Sequence, residues 1–408
     1  MIEKYYDGAI EQVAAGLGTV EKNYLLVRYS GQFSVENLND TKQLEKNEDI
    51  FVQVHEFETG EITCAYEPYL TMICDGFRRY MTGTFEEFME ACDVYYLHRP
   101  VLLGYFNQDN TGREEIILLD EVAYEQERML AALERMLCAI ADRHPVLFVL
   151  NRFQLASKST MQLTARFLKC ENCNIGLVLG VSDIQAMPEF LVPDWEMLYE
   201  TLDDGSKIYH IGNSGRKKEE TIDDEKYVDY GSEKVYRKLQ NMVEFLDFDQ
   251  AAYYLETIER KIKFDNLLVD DAARFRMWLL FVKVSILRQD IPKALEICED
   301  LEKIHLAGKE EECAYEQDYL IATAYMYQGK LKEALEMAGE TYRIAGKMSD
   351  DYRMFLSELL EAKIQMSGWY NIFFCAQDVK IKESLIQNLI RYNYRNHLAH
   401  VYICLLYT

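Results

Sequence analysis

Up to about Glu200, short apolar runs alternate with longer stretches in which apolar residues recur at helical spacing. Six runs read as strands: Tyr24-Leu25-Leu26-Val27, Ile50-Phe51-Val52-Gln53-Val54, Val101-Leu102-Leu103, Ile116-Ile117-Leu118-Leu119, Val146-Leu147-Phe148-Val149-Leu150 and Ile175-Gly176-Leu177-Val178-Leu179. Continuous apolar runs of this kind predict strands buried on both faces. The clearest helix is predicted from about Tyr124 to Asp142, where Met129, Leu130, Leu133, Met136, Leu137 and Ile140 fall on one side of a 3.6-residue period. Strand alternating with helix predicts an α/β domain with a largely parallel sheet over residues 1–200.

From Thr201 to about Ser232 the pattern turns polar, with Asp203-Asp204-Gly205 and Gly215-Arg216-Lys217-Lys218-Glu219-Glu220. One strand is predicted there, Lys207-Ile208-Tyr209-His210-Ile211, in what reads as a linker or small hairpin. Residues 233–408 read as helical throughout, and they repeat. Asp247-Phe248-Asp249-Gln250-Ala251, Asp290-Ile291-Pro292-Lys293-Ala294-Leu295-Glu296 and Lys330-Leu331-Lys332-Glu333-Ala334-Leu335-Glu336 align at spacings of 43 and 40 residues, and Gly368-Trp369-Tyr370 falls 39 after Gly329. Each unit predicts a helix, a tight turn at an acidic or glycine residue, and a second helix opening on a small Ala that lets the two approach. Such pairs bury their apolar sides only by stacking, which predicts an all-α solenoid rather than a non-repeating bundle. Leu405-Leu406-Tyr407-Thr408 continues an apolar helical pattern where a solenoid usually has a polar cap, so a docking face or a truncation is expected there.

Composition narrows the function classes. The 408 residues hold 69 acidic and 44 basic side chains, a formal net charge of -25. Phosphate binding through bulk charge needs a basic surface, so nucleic acid and anionic membranes are not expected partners. No apolar run reaches the ~18 residues of a membrane-spanning helix, and Met1-Ile2-Glu3-Lys4-Tyr5-Tyr6-Asp7 lacks the pattern of a signal peptide. Ten Cys without framework spacing predict reduced thiols and a cytoplasmic protein.

The stretch from Gln126-Glu127-Arg128-Met129-Leu130 through His144-Pro145-Val146-Leu147-Phe148-Val149-Leu150-Asn151-Arg152-Phe153-Gln154-Leu155-Ala156-Ser157 resembles the approach to the Walker B strand of the signal-transduction ATPases with numerous domains, an AAA-related regulatory family. Thr160 to Leu168 resembles the helix that follows, and Leu177-Val178-Leu179-Gly180-Val181-Ser182-Asp183 the sensor strand. Glu67-Pro68-Tyr69-Leu70 resembles the element that opens a helix after the second strand. Ala324-Tyr325-Met326-Tyr327-Gln328-Gly329-Lys330-Leu331-Lys332-Glu333-Ala334 resembles a tetratricopeptide repeat of the looser kind found in bacterial regulators. The resemblance implies a P-loop-NTPase-like α/β domain followed by tetratricopeptide-like repeats.

The chain departs from that family where the chemistry resides. A phosphate loop needs glycines, a Lys and a Ser or Thr. After the first strand stands Arg28-Tyr29-Ser30-Gly31-Gln32-Phe33-Ser34-Val35-Glu36, with one Gly, no Lys, and a repelling Glu36. Gly-Lys occurs only at Gly308-Lys309, Gly329-Lys330 and Gly346-Lys347, never followed by Ser or Thr. The Walker B carboxylate positions carry Asn151 and Arg152, the tail acid is Ser157, and Asp183 replaces the basic sensor. Gly31, Ser34, Asn151 and Arg152 therefore mark a degenerate nucleotide site. No catalytic residue, metal ligand or cofactor is expected. Ile116-Ile117-Leu118-Leu119-Asp120-Glu121 mimics a Walker B strand, but its acids fit better as the start of the following helix.

The remaining motifs read first as structural, with a shared metal or redox site the alternative at the cysteine pair and a metal pair the alternative at the two histidines. Cys170-Glu171-Asn172-Cys173 lacks the second pair of a zinc site and sits after a helix rather than before one. His397 and His400 share a helix face without accompanying ligands, and a packing role is expected. Neither Gly-x-Ser-x-Gly nor Gly-x-Gly-x-x-Gly occurs. Tyr253, Tyr254, Tyr315, Tyr319, Tyr325 and Tyr327 crowd the repeats, where packing between units is the expected role of most. The expected function is a non-catalytic regulatory scaffold whose repeats bind a protein or peptide, a basic one by charge complementarity. The alternative is a nucleotide-binding switch without efficient hydrolysis. An enzyme of unrelated chemistry finds no assembled nucleophile and base in the sequence.

Overall fold

The computed structural model describes residues 2–19, 23–29, 49–58, 61–109, 121–170, 174–182, 187–202, 208–211, 229–265, 267–367 and 383–406. The described residues fall into two compact units. The first takes those up to 112, 121–229 and 244–250; the second takes 230–243 and those from 251 onward.

The first unit is built on a five-stranded sheet in the order β2-β3-β4-β1-β5, with every pair parallel. The strands are β1 (Tyr24–Tyr29), β2 (Phe51–Glu56), β3 (Val146–Asn151), β4 (Ile175–Ser182) and β5 (Ile208–Ile211). The helices among them are α1 (Ile2–Gly16), α2 (Tyr69–Tyr80), α3 (Phe85–Ala91), α4 (Arg99–Asn107), α5 (Val122–Ala141), α6 (Lys158–Lys169) and α7 (Val192–Leu202). Every residue of β3 and β4 is buried, as their unbroken apolar runs predict. Ile208–Ile211, read from sequence as part of a linker or small hairpin, is the edge strand beside β1.

Pleating sorts the side chains. Leu25, Val27 and Tyr29 of β1, Leu147 and Val149 of β3 and Val178 of β4 form one face with Tyr6, Ala9, Ile10 and Val13 of α1. The helix lies close over β4 because Gly176 and Gly180 have no side chains. A methyl group on Gly176 would lie 2.7 Å from Val13 Cγ1. On the opposite face, the Phe148 ring meets Tyr69 of α2 edge-on at 4.7 Å.

One expected strand is a helix. Val101-Leu102-Leu103 lies in α4, where Pro100 occupies the first turn and Val101 and Leu102 are buried. A run of three apolar residues is too short to carry a period, and a Pro at the start of a helix is the better signal. Ile116–Leu119 lies outside the described residues.

The segment 244–250 closes against the start of α6. Ser157 caps that helix, accepting from the Thr160 amide at 3.2 Å. The buried Asp247 accepts from the Ser159 amide at 3.0 Å, Gln250 accepts from the Lys158 amide, and the Lys158 ammonium pairs with Asp249. Carboxylates thus sit on the positive end of the α6 dipole. Burial raises the Asp247 pKa against the hydrogen bonds from Ser159.

The second unit is all helical: α8 (Glu233–Glu244) and α9 (Phe248–Phe264), which share 244–250 with the first unit, then α10 (Asp271–Leu287), α11 (Ile291–Leu301), α12 (Glu310–Gln328), α13 (Leu331–Met348), α14 (Asp351–Ser367), α15 (Glu383–Arg391) and α16 (Arg395–Leu406). The repeated turns have a common geometry. Leu246, Gln289 and Gly329 are left-handed, at φ of 65°, 64° and 81°. Five residues after each comes Ala251, Ala294 or Ala334, all fully buried. Neighbouring helices share cores: Ala322 and Met326 of α12 pack with Ala334 and Ala338 of α13 and Leu360 and Ile364 of α14. Gly368-Trp369-Tyr370 lies outside the described residues. Among the described residues no helix is long and apolar enough to cross a membrane.

Candidate functional site

Open α/β sheets bind ligands beyond the carboxyl ends of their strands, where the connections diverge. Here β1 lies between β4 and β5, and its chain continues toward β2 at the far edge while β4 leads to β5 on the other side. The connections therefore diverge at the carboxyl ends of β1, β4 and β3.

Asn151 ends β3 on the α1 side of the sheet, fully buried. The Tyr29 hydroxyl, at the end of β1, donates to Asn151 Oδ1 at 2.7 Å. Between them passes Gly180 of β4. A methyl group there would overlap the Tyr6 hydroxyl and lie 2.5 Å from Asn151 Oδ1. Two phenols and one amide thus fill the space over Gly180. Burial raises the Tyr6 pKa well above the phenol range, and the Tyr29 and Glu56 charges push the same way. Burial likewise pushes Tyr29 up to about 12, against the opposing pull of Arg152 and Asn151. Both phenols are neutral proton carriers at neutral pH.

Arg152 takes left-handed backbone at φ 52°, turning the chain out of β3 into a single 3-10 turn at Phe153–Leu155. Its guanidinium pairs with Glu56 Oε1 at 3.3 Å, at the end of β2. Gln154 accepts from the Ser182 amide at 3.3 Å and donates to its carbonyl at 3.1 Å, tying the ends of β3 and β4. The arrangement can hold strand ends together. It presents no carboxylate pair to a metal, since Glu56 is engaged by Arg152.

Of the four positions expected at the degenerate nucleotide site, the structure describes Asn151 and Arg152 as neighbours at this edge; Gly31 and Ser34 lie outside the described residues, as does Asp183. Sequence reasoning missed Tyr6, Tyr29, Glu56 and Gly180. The signal for Tyr29 was its parity with Leu25 and Val27, which puts it on the α1 face. The signal for Tyr6 was its helical spacing with Ala9, Ile10 and Val13, which puts it on the buried face of α1.

Of the remaining candidates, Tyr315 and His397 are packing groups. Tyr315 is buried, donates to the Arg353 carbonyl at 2.9 Å and stacks on Tyr319. Tyr327 is 37% exposed. His397 is buried beside the Tyr394 ring; the His400 side chain and Cys173 lie outside the described residues. Among the described residues no group of three or more His, Cys, Asp or Glu is placed to hold a metal. Comparison of the chain with protein-family models, curated proteins and solved structures finds no match.

Proposed function

We propose that this chain is a non-catalytic regulatory or scaffold protein of the bacterial signal-transduction kind, with a degenerate ATPase-like α/β domain and tetratricopeptide-like repeats that bind a protein or peptide partner. One observation carries the non-catalytic half. At the sheet edge where a nucleotide would be gripped, Tyr6, Tyr29 and Asn151 fill the space over Gly180 and Arg152 is spent on Glu56. Support for the lineage comes from the strand order and from Asn151 and Arg152 standing where the resembling family has its acids.

Support for the binding half comes from the repeated turn geometry and from half-exposed tyrosines on successive helices, Tyr327, Tyr342 and Tyr352. Tyr combines large contact area with a polar tip and is enriched in interfaces. The acidic excess is uneven: residues 1–232 carry 41 acidic and 21 basic side chains, residues 233–408 carry 28 and 23. Attraction of a basic partner by bulk charge thus belongs to the first part of the chain. Recognition by the repeats rests on aromatic contact.

Thermal unfolding of the full chain, titrated with ATP, ADP or GTP and magnesium, tests the reading. A ligand that binds only the folded state raises the melting temperature. No rise is expected at millimolar nucleotide. A concentration-dependent rise with any of them overturns the proposal in favour of a nucleotide-binding switch.

A further inference from the structure

Two thiols 32 residues apart in sequence meet at the side of the first unit. Cys138 Sγ, in the last turn of α5, lies 3.9 Å from Cys170 Sγ, the residue that ends α6. The contact follows from the register of the two helices. One turn earlier on each, Arg166 Nη1 of α6 donates to Glu134 Oε2 of α5 at 2.9 Å, and its other branch pairs with Glu127. The ion pair and the thiol pair are successive rungs of one seam, each advanced four residues on both helices. A disulfide needs its sulfurs ~2.05 Å apart, so the two must approach from their 3.9 Å separation.

Both residues are half-buried. Cys170 lines a surface groove of about 580 Å³ together with Gln126, Glu134, Gln162 and Arg166. Among the described residues Cys64 and Cys313 are also half-buried, while three thiols are shielded. Cys74, Cys92 and Cys298 are buried, and burial pushes them to about 12, 11 and 12, which keeps them protonated and inert.

We propose that Cys138 and Cys170 are a redox latch: a peroxide or a small disulfide oxidises them to an intramolecular disulfide that locks α5 to α6. With peroxide, one thiolate attacks an oxygen, giving a sulfenic acid and hydroxide. The second thiolate then displaces the hydroxyl, so two thiols lose two electrons and two protons and the peroxide becomes two waters. With a small disulfide, the first thiolate forms a mixed disulfide, and the second displaces the remaining small thiol. Both cysteines lie at the carboxyl ends of their helices.

The full chain is incubated with oxidised glutathione at mildly alkaline pH, alkylated, and digested with trypsin and a glutamyl endopeptidase, which cuts after Glu171 and separates Cys170 from Cys173. Mass spectrometry should find Cys138 joined to Cys170 in monomeric protein. The same link should form in Cys173→Ser and vanish in Cys138→Ser. A Cys170–Cys173 bridge with Cys138 still open to alkylation overturns the latch, as does a bridge between two copies or the absence of any bridge after prolonged oxidation.

Discussion

Asn151 shows what one residue at a strand end can decide. Its side chain points to the α1 face by the parity of β3, into a site with no access to water, and it takes a hydrogen bond from Tyr29. An amide there needs a partner, because an unmet polar group in such a site costs ~1–3 kcal/mol. Tyr29→Phe removes the donor while preserving the ring. It should lower the stability of the full chain by about that amount, ~1–3 kcal/mol, in urea unfolding followed by far-UV circular dichroism. A loss below ~0.5 kcal/mol would mean that this bond does not hold β1 to β3. In the sequence Asn151 and Arg152 stood out only through a family resemblance. Their partners Tyr29 and Glu56 did not, since contacts between β1, β2 and β3 are set by strand order.

At the level of elements, the strongly periodic helix and the strand runs at 24, 50, 146, 175 and 207 are read correctly from sequence, and the run at Val101 is not. The helix expected at 124–142 spans Val122–Ala141, and the strands at 146 and 175 fall as expected. The three-residue run at Val101 is helical, and α1 carries its apolar face at positions 6, 9, 10 and 13. The repeat turns add a feature that composition hides. Gln289 is exposed, yet holds a left-handed conformation that suits glycine, the residue found at the equivalent Gly329. Gln289→Gly should relieve that strain with little loss of contact. A rise of about 0.5–1 kcal/mol in stability is expected from chemical denaturation, although glycine's freer unfolded chain offsets part of the gain. A fall of similar size would show that the turn is not strained.

For the whole molecule the governing quantity is the charge of -25, most of it carried by residues 1–232. Like charges on a folded surface repel, and the repulsion is screened as the Debye length shrinks from ~30 Å at 0.01 M to ~8 Å at 0.15 M salt. Exposed ion pairs contribute little and are screened as well. The melting temperature should therefore rise as sodium chloride increases from about 0.01 to 0.3 M, as calorimetry would show. A flat or falling response would mean that specific pairs, such as Lys293–Glu259 and Arg353–Glu316, outweigh the net repulsion.

The amino-acid sequence by itself determined the α/β character of the first part, the helical repeats of the second, the acidic balance and the missing phosphate-binding residues. Each is a matter of local periodicity or of residue identity at a given position. Tertiary structure alone decided that Tyr6 and Tyr29 close over Gly180, that Asp247 sits on the start of α6, and that Cys170 faces Cys138. Those contacts join residues dozens to more than a hundred positions apart. They depend on which strand lies beside which and on the register of packed helices, and neither is encoded in any single stretch of chain.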